Sequence, residues 1–119
     1  GFLKKIPDGI TKKYKNKIIN IHPSLLPAFG GKGMYGINIH KKVIESGVKI
    51  TGITVHFVNE TYDSGRIIFQ KSIDVKNEYD YKKLNEVVLR YEHKYLPFVI
   101  KKFEENKIKI NRNRVTIED

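Results

Sequence analysis

The chain has 119 residues, no cysteine and a formal charge of +10 at pH 7. That length suits one domain with a modest core; the missing cysteines exclude disulfides and thiolate zinc sites, and no apolar run approaches the roughly 20 residues that cross a bilayer. The charge suggests nucleic acid at first, but arginine occurs only at 66, 90, 112 and 114 and the lysines are spread through every segment, whereas a phosphate-reading surface clusters its charge and favours arginine.

The opening "GFLKKIPDGI" lacks the apolar core and small-residue cleavage site of a secretory signal. With the absence of cysteine this fits a reducing compartment, and a cytoplasmic location is expected. The start reads as the tail of an element that began earlier, so the chain is expected to be part of a longer protein. "KIINIH" (17–22) is an apolar, β-branched run closed by Pro23 and predicts a buried strand. "PSLLPAFGGKG" (23–33) predicts a loop, because prolines remove ladder donors and glycines permit positive φ. In "YGINIHKKVIESG" (35–47), Ile37, His40, Val43 and Ile44 recur at helical spacing and Gly47 supplies a C-cap.

"VKITGITVHFVN" (48–59) predicts a strand with Ile53, Val55 and Phe57 on one face and Thr54, His56 and Val58 on the other. "ETYDSGR" (60–66) is turn material, and "IIFQKSIDV" (67–75) predicts a second strand, so 48–75 is expected to be an antiparallel hairpin with a wide loop. The segment 78–106 carries the strongest helical signal, an apolar stripe through Leu84, Val87, Val88, Tyr91, Tyr95, Phe98, Val99 and Phe103. Pro97 is expected to kink or split it near residue 93. "KIKINRNRVTI" (107–117) predicts a terminal hairpin turning at "NRN".

Asn20 and His22 share a strand face, at the C-terminal end where open α/β sheets hold ligands. A carboxamide that polarises a carbonyl oxygen, beside an imidazole that moves protons or holds an oxyanion, is what attack on a carbonyl needs. The spacing alone favours a strand-end histidine bonded to loop carbonyls. Asp63, in "YDSG", could orient His22 and favour its charged form, or simply serve the turn. His56 reads as a half-buried histidine or as a support for the site. His40 and His93 lie on predicted helices, no four ligands occur at metal spacing, and "GGKG" lacks the frame of a P-loop.

Three segments together, "NIHPSLLPAF" (20–29), "TGITVHFVNETYDSGRIIFQ" (51–70) and "EHKYLP" (92–97), resemble the phosphoribosylglycinamide formyltransferases over nearly the whole chain. The resemblance implies an α/β fold with a formyltransferase-type Rossmann-like sheet. Residues 1–119 would be the C-terminal portion of that domain: a parallel strand, an antiparallel hairpin and a long C-terminal helix, without the N-terminal part that binds the nucleotide phosphate. It implies formyl transfer from 10-formyltetrahydrofolate to the amine of glycinamide ribonucleotide, with Asn20, His22 and Asp63 catalytic, no metal, and neither nucleic acid nor membrane as partner. Leu3, Lys4, Lys5 and Ile6 with Asn20, Val58, Asn59, Glu60, Thr61, Tyr62 and Asp63 would contact the folate. Pro23 and Glu92 would contact the nucleotide, and His56 would support the site. The isolated piece is expected to be poorly active. Two related readings are a formyltetrahydrofolate hydrolase and a methionyl-tRNA formyltransferase; a reading of another class is a basic nucleic-acid-binding module, marked by steeply salt-dependent binding.

Overall fold

The computed structural model describes residues 3–5, 17–58 and 65–119. In chain order these form β1 (Leu3–Lys5), β2 (Ile18–His22), α1 (Ile37–Ser46), β3 (Ile50–Phe57), β4 (Ile67–Asp74), α2 (Tyr81–Glu104), β5 (Ile108–Asn111) and β6 (Arg114–Ile117). The first four strands make one sheet in the order β1-β2-β3-β4, and β5 and β6 make a separate hairpin.

Alternation along β2 buries Ile19 and Ile21 completely and leaves Ile18, Asn20 and His22 half-buried on the opposite face. Cross-strand pairing sets Ile19 against Phe57 and Ile21 against Val55, so the apolar faces of β2 and β3 form one surface. Onto it pack Leu84, Val88, Val99 and Phe103 of α2, with Ile39 and Val43 of α1 in the same core. The Phe57 and Phe103 rings meet edge to face with centroids 6.1 Å apart.

The predicted α/β order holds, and so does the antiparallel hairpin of β3 and β4. Direction differs for β2: the strand expected to be parallel runs antiparallel to both β1 and β3, its neighbours among the described residues. An apolar, β-branched run encodes burial but not the direction of the strands beside it.

Gly47 caps α1 as predicted, at φ 72 with its N–H on the Ile44 carbonyl. Asp80 caps α2 by accepting from the Lys83 N–H at 2.7 Å. Of the kink or split expected from Pro97, the split does not occur: α2 runs unbroken from Tyr81 to Glu104. Losing one helical bond costs about 3 kcal/mol, whereas Val99 and Phe103, both fully buried beyond the proline, each contribute about 1.5–3 kcal/mol. The terminal hairpin turns where predicted, at Arg112–Asn113, with Arg112 at φ 59.

His40 of α1 is 2% exposed and its Nδ1 has no hydrogen-bond partner. Burial pushes this imidazole down to about 4, from 6.5. Above pH 6.5 the ring is neutral whether the chain is folded or not. Between 6.5 and 4 the unfolded chain takes up a proton that the folded one refuses, so His40 withdraws stability as pH falls, by up to about 3 kcal/mol. Glu92, also buried, is raised by burial and acts in the opposite sense, its contribution fading as pH rises through its folded value. Urea denaturation at pH 7 and pH 4.5 should therefore show a smaller acid loss for His40→Leu than for wild type. Equal losses would mean that His40 is not the group responsible.

Candidate active site

The β2–β3 register places Asn20 opposite His56 and His22 opposite Thr54. All four side chains thus belong to one face of the sheet, turned away from Ile19, Ile21, Val55 and Phe57. Asn20 Nδ2 lies 3.3 Å from His56 Nε2, and His56 Nδ1 lies 2.9 Å from the Phe57 carbonyl. His22 Nε2 donates to the Phe29 carbonyl at 3.2 Å. That leaves Nδ1 of His22 as the ring nitrogen available for proton exchange or for donation to an oxyanion.

The loop after β2 is held in place by side chains that sequence reasoning did not single out. Thr54, fully buried, donates to the Ser24 carbonyl at 2.7 Å and accepts from the Leu26 N–H at 3.1 Å and from Gln70 Nε2 at 3.0 Å. Gln70 Nε2 also donates to the Leu26 carbonyl at 3.0 Å, and Ser24 Oγ donates to the Ala28 carbonyl at 2.6 Å. These bonds hold the loop while Phe29 adopts φ 53, a conformation that costs a residue with a Cβ about 1–2 kcal/mol, with its carbonyl on His22. The signal available beforehand was position: Thr54 stands two residues from His56 on the same face. Thr54→Val keeps the shape but strands the Leu26 N–H and the Ser24 carbonyl, so a loss of about 2–3 kcal/mol is expected in urea denaturation. Thr54→Ser should lose far less; similar losses would show that the methyl, not the hydroxyl, matters.

Electrostatically, burial lowers the His22 pKa and the bond to the Phe29 carbonyl raises it; His56 would lower it further only when itself charged. These neighbours together favour the neutral ring. A carboxylate or a developing oxyanion would have to supply the compensation for a charged His22.

Beside this group, Leu26, Pro27, Gly30, Gly31 and Ile67 line a cavity of about 530 Å³. Ile67 pairs with His56 across the β3–β4 ladder, and Leu26 is bonded to Thr54 and Gln70, so the cavity adjoins the polar face. Of the other predicted contacts, Pro23 is buried at the end of β2 and Val58 is exposed beyond β3. The β1 backbone of Leu3–Lys5 pairs with β2, Leu3 opposite Asn20. Glu92 lies on the core-facing stripe of α2, bonded to none of Asn20, His22 and His56. Ile6, Asn59, Glu60, Thr61, Tyr62 and Asp63 lie outside the described residues. Among the described residues no three His, Asp or Glu side chains gather as a metal site would require.

The pattern of one family, described as Formyl transferase, matches residues 1–100. The chain is 45% identical over 117 residues to a chloroplastic phosphoribosylglycinamide formyltransferase of Arabidopsis thaliana, covering 98% of this chain and 40% of the relative. In three dimensions it is similar to glycinamide ribonucleotide transformylase 1 of Symbiobacterium toebii, with a TM-score of 0.71 and 40% identity, covering 85% of this chain and 45% of that one. It is also similar to a formyltetrahydrofolate deformylase of Pseudomonas syringae pv. tomato, with a TM-score of 0.72 and 28% identity, covering 85% of this chain and 32% of that one. The chain thus spans less than half the length of each of these three relatives. An asparagine and a histidine on one strand face accord with that match: the chain belongs to the formyl transferase family.

Proposed function

We propose that the protein carrying this chain transfers a formyl group from 10-formyltetrahydrofolate to the amine of glycinamide ribonucleotide, a step of purine biosynthesis. The observation that carries the reading is the shared face of Asn20 and His22, with His22 held through Nε2 by the Phe29 carbonyl. An Nδ1–H on a ring so oriented could be aimed at a developing charge without reorganising.

In the proposed reaction the amine nitrogen attacks the formyl carbon and the carbonyl π pair moves onto oxygen. Asn20 donates an N–H to that oxygen, and cationic His22 stabilises the oxyanion. When the tetrahedral intermediate collapses, the bond from carbon to the folate nitrogen breaks. The proton lost by the amine passes, through a water, to that leaving nitrogen. Asp63 is assigned the compensating negative charge that His22 needs. The folate is proposed to lie along β1 and residues 58–63, and the nucleotide along Pro23 and Glu92. The cysteine-free composition supports a reducing compartment, read here as the cytoplasm.

A second reading has a specific motive, the similarity in fold to a formyltetrahydrofolate deformylase. Water would then replace the amine as nucleophile. The intact protein should release tetrahydrofolate from 10-formyltetrahydrofolate only when glycinamide ribonucleotide is present. Release at the same rate without the ribonucleotide would favour the deformylase.

A further inference from the structure

His56 touches one of the groups the proposed reaction uses and shares a sheet face with the other, and its two ring nitrogens are both committed. A carbonyl oxygen only accepts, so the bond to Phe57 at 2.9 Å requires the ring proton on Nδ1. An amide NH₂ only donates, so the contact with Asn20 at 3.3 Å requires a bare lone pair on Nε2. One species satisfies both, the neutral Nδ1–H tautomer. The ring's place is set by a local irregularity: the β3–β4 register shifts between Val55 and His56, which pair with Phe69 and Ile67. A bulge of this kind re-aims the side chain beside it.

We propose that His56 is a positioning residue, a tautomer lock that turns the Asn20 NH₂ inward to the ring and so fixes which atoms of the carboxamide are left to meet a ligand. With one N–H taken by His56, the second N–H and Oδ1 are left in a single orientation instead of two related by an amide flip. The proposal rests on the reading that Asn20 binds the formyl oxygen, and it gives that asparagine the preorganisation such a donor requires. It also divides the labour between two imidazoles on adjacent strands. His56 stays neutral to keep both bonds, and His22 is the ring that carries charge in the reaction.

Two substitutions separate the lock from mere filling. In His56→Gln the side-chain oxygen takes the place of Nε2 and can still accept from Asn20. In His56→Asn the amide nitrogen takes the place of Nδ1, and the acceptor is lost. In the intact protein, kcat should fall by less than about fivefold in the Gln variant and by about 10- to 100-fold in the Asn variant, with KM for 10-formyltetrahydrofolate little changed in either. Imidazole ¹⁵N NMR of the wild-type chain should show a protonated Nδ1 and an unprotonated Nε2 at His56. An Nε2–H tautomer, or equal losses in the two variants, would overturn the proposal. The NMR result stands without any turnover and without either variant folding, so a failure of the lock can be told from a failure of the assigned reaction. If the protein proves to be a deformylase, the tautomer and the Gln–Asn contrast should persist with water as acceptor.

Discussion

Replacing His22 by Ala in the intact enzyme is expected to lower kcat by about 10²–10³-fold while leaving the affinity for 10-formyltetrahydrofolate within about twofold. The large effect follows from where the ring acts. His22 is held by one bond through Nε2, to a backbone carbonyl, so in the proposed reaction its remaining N–H serves charge that exists only on the way to the tetrahedral intermediate. Interactions made in that state alone change kcat and not ground-state binding. Near wild-type turnover in His22→Ala would remove the proposed mechanism. A pH profile adds the sign. The proposed reaction needs the charged ring, so kcat/KM should fall as pH rises through the His22 pKa. Burial pushes that pKa down; Asp63 is proposed to push it back up. The alkaline limb should therefore move to lower pH in Asp63→Asn, and an unmoved limb would mean that Asp63 does not compensate His22.

Much of this site was legible because its signals are local. The period of two along "KIINIH" places Asn20 and His22 together and Ile19 and Ile21 opposite them, whatever the rest of the chain does. Gly47 and the stripe from Leu84 to Phe103 are local in the same way. The features that were not legible depend on distant partners. Pro97 reads as a breaker until Val99 and Phe103 are seen fully buried beyond it. The bonds of Thr54 to Ser24, Leu26 and Gln70 join three segments whose register no short motif encodes. Spacing also left two readings of His22 open, catalytic or bonded to a loop carbonyl. The carbonyl bond is present, and it occupies only one nitrogen, so it is compatible with the catalytic role.

The second large effect is expected at Gly65, where the chain enters β4. Gly65 adopts φ 64, and a Cβ there would fall far inside van der Waals contact with the Phe57 carbonyl oxygen. The next residue is tied to the same strand end, the Phe57 N–H donating to the Arg66 carbonyl at 3.0 Å. Neither side can give without breaking that closure. Gly65→Ala should therefore combine left-handed strain with overpacking and cost about 2–5 kcal/mol, a serious fraction of the roughly 5–15 kcal/mol that holds a domain folded. Gly33→Ala provides the comparison. Gly33 has φ 81, and nothing lies within 4 Å of its added Cβ, so strain alone should cost about 1–2 kcal/mol. Denaturant midpoints of the two variants should differ accordingly; a difference below about 0.5 kcal/mol would mean that the Phe57 carbonyl moves aside freely. That outcome would bear on the site as well, because the same carbonyl oxygen accepts the His56 Nδ1 proton. A Phe57 carbonyl that yields to a methyl group cannot hold one tautomer, so the stability of Gly65→Ala and the ring nitrogens of His56 should change together.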